Sequence, residues 1–374
     1  MHFRFYFNLN SKNMNSVKLL IIGVITAVIA ACNPSKEHNT EAIRLNDIQV
    51  IGSHNSYKIG IEPEVMALIA KKDSSTAVAL AYDHIPLNEQ LELGLRNLEL
   101  DVFHDPNGGR YSHPKALEKL DSAGIPHLPF DEAGKLNKAG LKLFHVQDID
   151  FRSHHLLFKD ALNELSNWSY SHPDHTPVII LINAKDGNTP QMTPTLPFTA
   201  AALDSIDKEI RSVFPMEKLI TPDLVRGEHA SLEEAVLAEG WPILEDVKGR
   251  FLFVLDEKEE KNNRYLSVHP NLEDAVLFVN VKEGNPNAGF RIINDPIANH
   301  DYIKDLVTKG YMIRTRADAG TKEARNNDYN RFEKAKSSSA QVISTDYYIP
   351  SSLFKSDYKV AFKENGYERL QPNK

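Results

Sequence analysis

The 374-residue sequence holds a single cysteine, Cys32, so no disulfide can form within the chain. It has no long basic run, and 51 acidic residues outnumber 43 Lys and Arg for a net charge of −8. That balance excludes nucleic acid as the main partner, because phosphate backbones reward clustered Lys and Arg. It equally excludes holding anionic lipid by bulk electrostatics. No apolar run reaches the roughly 20 residues that cross a bilayer. The chain also lacks internal repeats, and its one compositionally biased stretch is the polar segment 33–42, NPSKEHNTEA.

What is present begins with the apolar run 19–31, LLIIGVITAVIAA, flanked by Lys18. Its length suits the core of a signal peptide rather than a membrane span. Met14 opens MNSVKLL, a tidier signal start than MHFRFYFNLN. The run ends in Ile29-Ala30-Ala31-Cys32, the pattern of a bacterial lipobox, and the lone cysteine sits at its last position. The expectation is an exported lipoprotein. Residues 1–31 would be removed, Cys32 would carry lipid, 32–44 would form a tether, and 45–374 would form one catalytic domain. The protein would then stand at the bacterial cell envelope as a lipid-anchored monomer.

After the tether, short apolar runs alternate with amphipathic stretches, which suggests parallel strands with crossover helices. Eight strands are predicted at 47–53, 95–102, 141–146, 177–183, 250–255, 276–280, 311–315 and 341–345. Helices are predicted near 86–94, 155–167, 198–213, 231–239, 301–309 and 321–336. Eight such units close a TIM-type (β/α)8 barrel of α/β class. The segment 103–140, rich in Gly, Pro and His, reads as an insertion loop, and Asp256 to Lys261 reads as a solvated loop.

Polar residues gather where these strands end, the face on which barrel active sites sit. The first strand runs into Ile51-Gly52-Ser53-His54-Asn55-Ser56-Tyr57. On the second, Glu99 and Asp101 share a face, because side chains alternate along a strand. Two carboxylates about 7 Å apart repel unless a positive group lies between them, and a hard divalent cation is its natural form. His145 ends the third strand, Asn183 and Lys185 share a face at the end of the fourth, and Arg314 and Arg316 repeat that spacing on the seventh. The eighth ends in Ser344-Thr345-Asp346-Tyr347-Tyr348. Singly these signals are weak; a lone histidine at a strand end is more often structural than catalytic. Together they suit phosphodiester cleavage. One histidine takes a proton from the attacking hydroxyl and another gives one to the leaving alcohol. A cation with Arg or Lys neutralises the phosphoryl oxygens.

The segments IGSHNSY (51–57), NLELD (97–101), FHVQDID (144–150), RTRADAGTKEARNND (314–328) and STDYY (344–348) resemble the calcium-dependent, phosphatidylinositol-specific phospholipase C1-like proteins of bacteria. So do Trp168-Ser169, His172-Pro173, Thr221-Pro222-Asp223 and Gly240-Trp241-Pro242. The resemblance implies cleavage of the glycerol–phosphate bond of a phosphoinositide lipid, giving diacylglycerol and an inositol phosphate. It implies His54 on the attacking-hydroxyl side and His145 on the leaving-group side. It also implies calcium on Asn55, Glu99, Asp101 and Asn183, with Glu99 or Asp101 in reach as an assisting base. Lys185, Arg314, Arg316, Asp346 and Tyr348 would face the substrate. One position departs from the pattern: Asn183 stands where the family carries a carboxylate. An amide oxygen still ligates calcium but brings no charge, so weaker binding is expected. Asp186 compensates only if its loop turns it inward. Two alternatives remain open at this level. One is a glycerophosphodiester phosphodiesterase acting on soluble diesters; the other is a non-catalytic binding barrel.

Overall fold

The computed structural model describes residues 42–363 and 366–372; Cys32 and the apolar run before it lie outside them. Ten strands form one sheet: β1 (Ile48–Ser53), β2 (Asn97–Phe103), β3 (Lys142–Leu143), β4 (Val178–Ala184), β5 (Phe251–Leu255), β6 (Leu277–Val279), β7 (Phe290–Ile292), β8 (Met312–Arg316), β9 (Val342–Thr345) and β10 (Glu368–Leu370). Eight of them lie parallel in the order β6-β5-β4-β2-β1-β9-β8-β7. A parallel bridge between Asn280 and Phe290 brings the two ends of that order together. The result is the expected TIM-type barrel.

Two strands depart from expectation. The predicted third strand is not a stave of the barrel. Only Lys142–Leu143 is extended, and it runs antiparallel to the last two residues of β2. The missing stave is β7, a three-residue FRI segment too short to announce itself. The remaining seven predicted strands fall within two residues of those observed.

The helices largely follow the amphipathic pattern. Ala200–Arg211 buries Ala202, Leu203, Ile206 and Ile210, and Thr199 caps it by accepting from the Ala202 amide. The predicted helix 321–336 is two pieces, Lys322–Asn326 and Asn330–Ser337, because Asn327 turns left-handed at φ 51°. Neither predicted loop is wholly irregular. Segment 103–140 contains the helix Lys115–Ser122, and Glu259 opens the helix Glu259–Leu266.

Strands β1, β2 and β5 are buried at every residue, as befits staves covered by helices outside and filled by side chains inside. β1 and β2 approach most closely at Gly52, where an added Cβ would lie 2.2 Å from the Asn97 carbonyl oxygen. Register then fixes the inward rows. Glu99 stands beside Leu181, and Asp101 beside Asn183. Ile182 pairs with Leu255, so the next residue, Asp256, follows Asn183 in the same row.

Candidate active site

Five strand ends, those of β1, β2, β4, β8 and β9, deliver the charged centre. Glu99 and Asp101 on β2 are almost fully buried, and each is met by a cation. Arg314, reaching in from β8, donates to Glu99 Oε2 at 2.5 Å and also to Asn294 Oδ1. Burial alone would raise the Glu99 pKa, but Arg314 and then His54 outweigh it and hold the carboxyl below its ordinary value. Lys185 Nζ lies 3.2 Å from Asp101 Oδ2, and that charge holds the ammonium pKa above its usual value against burial.

His54 follows β1 in a tight turn. Its backbone amide donates to the Thr345 carbonyl at 3.1 Å, and Asn55 next to it takes a left-handed φ of 51°. Asparagine tolerates that region better than most residues. The Asn55 amide donates to the Tyr82 hydroxyl at 2.6 Å. Ser56 Oγ accepts from the Glu99 amide at 2.8 Å, which ties the turn to β2. The ring of His54 sets Nδ1 2.8 Å from Asp346 Oδ1, and its Nε2 lies 3.8 Å from Glu99 Oε1. Asp346 also accepts from Arg316 at 3.3 Å. Against burial, His54 and then Arg316 hold the Asp346 carboxyl far below its usual range. Behind it, Asp318 accepts from the Asp346 amide at 2.9 Å and from the Thr345 hydroxyl. Burial and the Asp346 charge push the Asp318 carboxyl up to about 7.

His145 is held in a second, similar pair. Its Nδ1 is 2.8 Å from Asp150 Oδ2, in a turn closed by the Val146–Asp150 bridge. Lys58 Nζ sits 3.3 Å from Asp150 Oδ1 and donates to the carbonyls of Leu80 at 3.2 Å and Tyr82 at 2.7 Å. Both imidazoles thus spend Nδ1 on a buried carboxylate, which orients the ring and leaves Nε2 for chemistry.

The sequence placed His54, Asn55, Glu99, Asp101, His145, Asn183, Lys185 and Arg314 at one end of the barrel, and the geometry brings Glu99 to Arg314 and to within 3.8 Å of His54, and Asp101 to Lys185. Three expected substrate contacts have different partners. Asp346 and Arg316 bind each other and His54, so they hold the imidazole. Tyr348 is 1% exposed, its hydroxyl accepts from the Ile85 amide at 3.2 Å, and its ring stacks on His84. It braces the wall instead of facing substrate. Asp150 and Lys58 were not singled out in the sequence. The one hint was that Asp150 lies five residues beyond His145 in FHVQDID.

The oxygen donors suit a hard divalent cation: two carboxylates and two side-chain amides. Asp101 Oδ2 is buried, with the Lys185 ammonium 3.2 Å away as its one ion-pair partner among the described residues. Among the described residues no three His, Cys, Asp or Glu side chains form a ready-made metal cage. The physical reason is visible in the pairing, since Arg314 holds Glu99 and Lys185 holds Asp101. Beside the row opens a cavity of about 740 Å³ lined by Asn183, Asp256, Asn280, Arg291 and Asn294 among others.

The chain is also similar to known proteins. The sequence model of a family described as Ca2+-dependent phosphoinositide phospholipase C matches residues 43–372. No curated protein matches the chain. Among solved structures, the calcium-dependent phosphoinositol-specific phospholipase C of a Pseudomonas species, in its apo form, superposes with a TM-score of 0.54 at 14% identity, covering 88% of this chain and 95% of that one. Its myo-inositol complex gives 0.52 at 14% identity, covering 88% and 96%. The Ca2+-dependent phosphatidylinositol-specific phospholipase C of Streptomyces antibioticus gives 0.51 at 18% identity, covering 85% and 99%. At such identities the structural likeness concerns the fold.

Proposed function

We propose that this chain, which belongs to the Ca2+-dependent phosphoinositide phospholipase C family, cleaves the glycerol–phosphate bond with His54 and His145 as its proton-transfer pair. The observation that carries this reading is the duplicated imidazole–carboxylate pair, His54–Asp346 and His145–Asp150, each at 2.8 Å. Binding alone needs no such pair. His54, with Glu99 beside it, takes the side of the attacking hydroxyl. His145 takes the side of the leaving glycerol oxygen and returns a proton to it as the phosphorus–oxygen bond breaks. Lys185 and Arg314 set positive charge next to the acidic row, where phosphoryl or inositol oxygens gather. Asn55, Glu99, Asp101 and Asn183 would hold calcium, which when bound neutralises charge on the phosphoryl oxygens.

Apolar side chains on the connections that follow the barrel strands favour a lipid over a soluble diester. Ile59, Val78, Leu128 and Leu353 are all exposed there. They lie between β1 and β2, between β2 and β3, and after β9. A lipid on Cys32, in the lipobox-like end of the apolar run, would keep the enzyme at the envelope surface beside such a substrate. The test is release of inositol phosphate from phosphatidylinositol vesicles, with calcium and then with a chelator, alongside His54→Ala and His145→Ala. Each variant is expected to lose about 10²- to 10⁴-fold in rate. Hydrolysis of glycerophosphoinositol without vesicle cleavage would hand the assignment to a glycerophosphodiesterase.

A further inference from the structure

We infer that Asp256 is a calcium-binding residue of this chain, supplying the charge that Asn183 does not. The inference rests on the calcium-dependent reading above and adds to its ligand set a residue from a different strand.

Register comes first. Asp101 on β2 pairs with Asn183 on β4, and the Ile182–Leu255 pair places Asp256 next to Asn183 at the end of β5. The three side chains therefore stand in one row on adjacent strands, about 4.8 Å apart, and point to the same side of the sheet. That side is the barrel interior, because Glu99, two residues before Asp101 on the same face, is bonded across it by Arg314.

Charge comes second. Of the three carboxylates in this corner, Glu99 is paired with Arg314 and Asp101 with Lys185. The Asp256 carboxylate has neither an ion pair nor a hydrogen bond among the described residues, and it lines the 740 Å³ cavity. A cation binding there takes up Asp256 without displacing an ammonium or a guanidinium. The Asn183 amide donates through Nδ2 to the Asp256 carbonyl at 3.3 Å, which orients it and leaves Oδ1 without a donor. The neighbouring acids have other partners. Asp186 is held by Lys261 at 2.8 Å and by the Phe198 amide at 3.0 Å, so it does not turn inward. Glu257 is held by the same lysine and by the Ala184 amide.

The experiment titrates calcium chloride calorimetrically into the purified wild-type protein and into Asp256→Asn, Asn183→Asp, Glu99→Gln and Asn183→Asp/Asp256→Asn. The same five proteins are unfolded in chelator to check that each folds. Asp256→Asn is expected to weaken calcium binding by about tenfold or more, since ligand charge sets affinity. Asn183→Asp is expected to tighten it, and the double variant to regain most of the loss. The unfolding midpoint of Asp256→Asn in chelator should not fall, because its carboxylate has no hydrogen bond or ion pair to lose among the described residues. If Asp256→Asn binds calcium within twofold of wild type while Glu99→Gln does not, Asp256 is no ligand and the calcium reading stands. If wild type itself binds no calcium, both fall.

Discussion

Lys58 and Asp150 bury two opposite charges behind His145, with both side chains fully inaccessible and 3.3 Å apart. At that separation and an effective dielectric of about 20, their attraction is about 5 kcal/mol. Desolvation offsets most of that, so the intact pair adds little net stability. Breaking it is another matter. Lys58→Met strands a buried carboxylate and should lower the unfolding free energy by about 3–5 kcal/mol. It also leaves the Leu80 and Tyr82 carbonyls without their donor, at about 1–3 kcal/mol each. Asp150→Asn strands the ammonium instead, and should cost kcat about 10²- to 10⁴-fold because His145 loses the charge that orients it. The double variant Lys58→Met/Asp150→Asn carries no unpaired charge. It should recover about 2–3 kcal/mol relative to the sum of the singles while kcat stays low. Urea unfolding in chelator and vesicle assays on the four proteins measure both quantities. Additivity within about 0.5 kcal/mol would refute the ion-pair argument, and an unchanged kcat in Asp150→Asn would refute the role given to Asp150.

Asp346→Asn should lower kcat about 10²- to 10⁴-fold by the same logic at His54, with a much smaller change in KM, read in steady-state vesicle kinetics. Arg314→Met leaves Glu99 buried without its guanidinium and should destabilise the calcium-free protein by about 3–5 kcal/mol, with added calcium restoring part of the thermal midpoint. Asp318 carries a carboxyl raised from 3.8 to about 7. The folded state therefore holds a proton that the unfolded chain has released, and stability falls as pH rises through that window. Asp318→Asn should flatten this fall, by up to about 3 kcal/mol, between urea titrations at about pH 5 and about pH 8.

Much of the site was legible because strand alternation is a one-dimensional code. Spacing alone put Glu99 with Asp101, Asn183 with Lys185 and Arg314 with Arg316 on shared faces, and the neighbours they meet lie on strands whose approximate positions were also readable. Residues whose role depends on register across strands or on a local turn were not legible. Asp256 looked like the start of a charged surface run, and only its pairing level with Asn183 moves it into the barrel. Asp150 meets His145 through a turn that no hydrophobic period marks. Tyr348 was set against His84 by a contact 264 positions away in the chain, which no local pattern encodes. Strand β7 escaped because three residues carry almost no periodic signal, and 141–146 was mistaken for a stave because its apolar residues do pack in the core.

The position of His145 outside the ring of parallel strands divides the enzyme's labour unevenly. His54, Glu99 and Arg314 ride on or beside staves, so their spacing changes only if the whole ring deforms. His145 is carried on a short turn flanked by β3, and that segment belongs to a connection between staves. With the proposed roles of the two histidines, insertions or repacking there would alter how the departing lipid half is received while the grip on the phosphorylated half stays fixed. Variation among relatives in acyl-chain or leaving-group preference should therefore track this turn and the helices around it, and a graft of residues 103–157 would be the smallest exchange able to transfer such a preference.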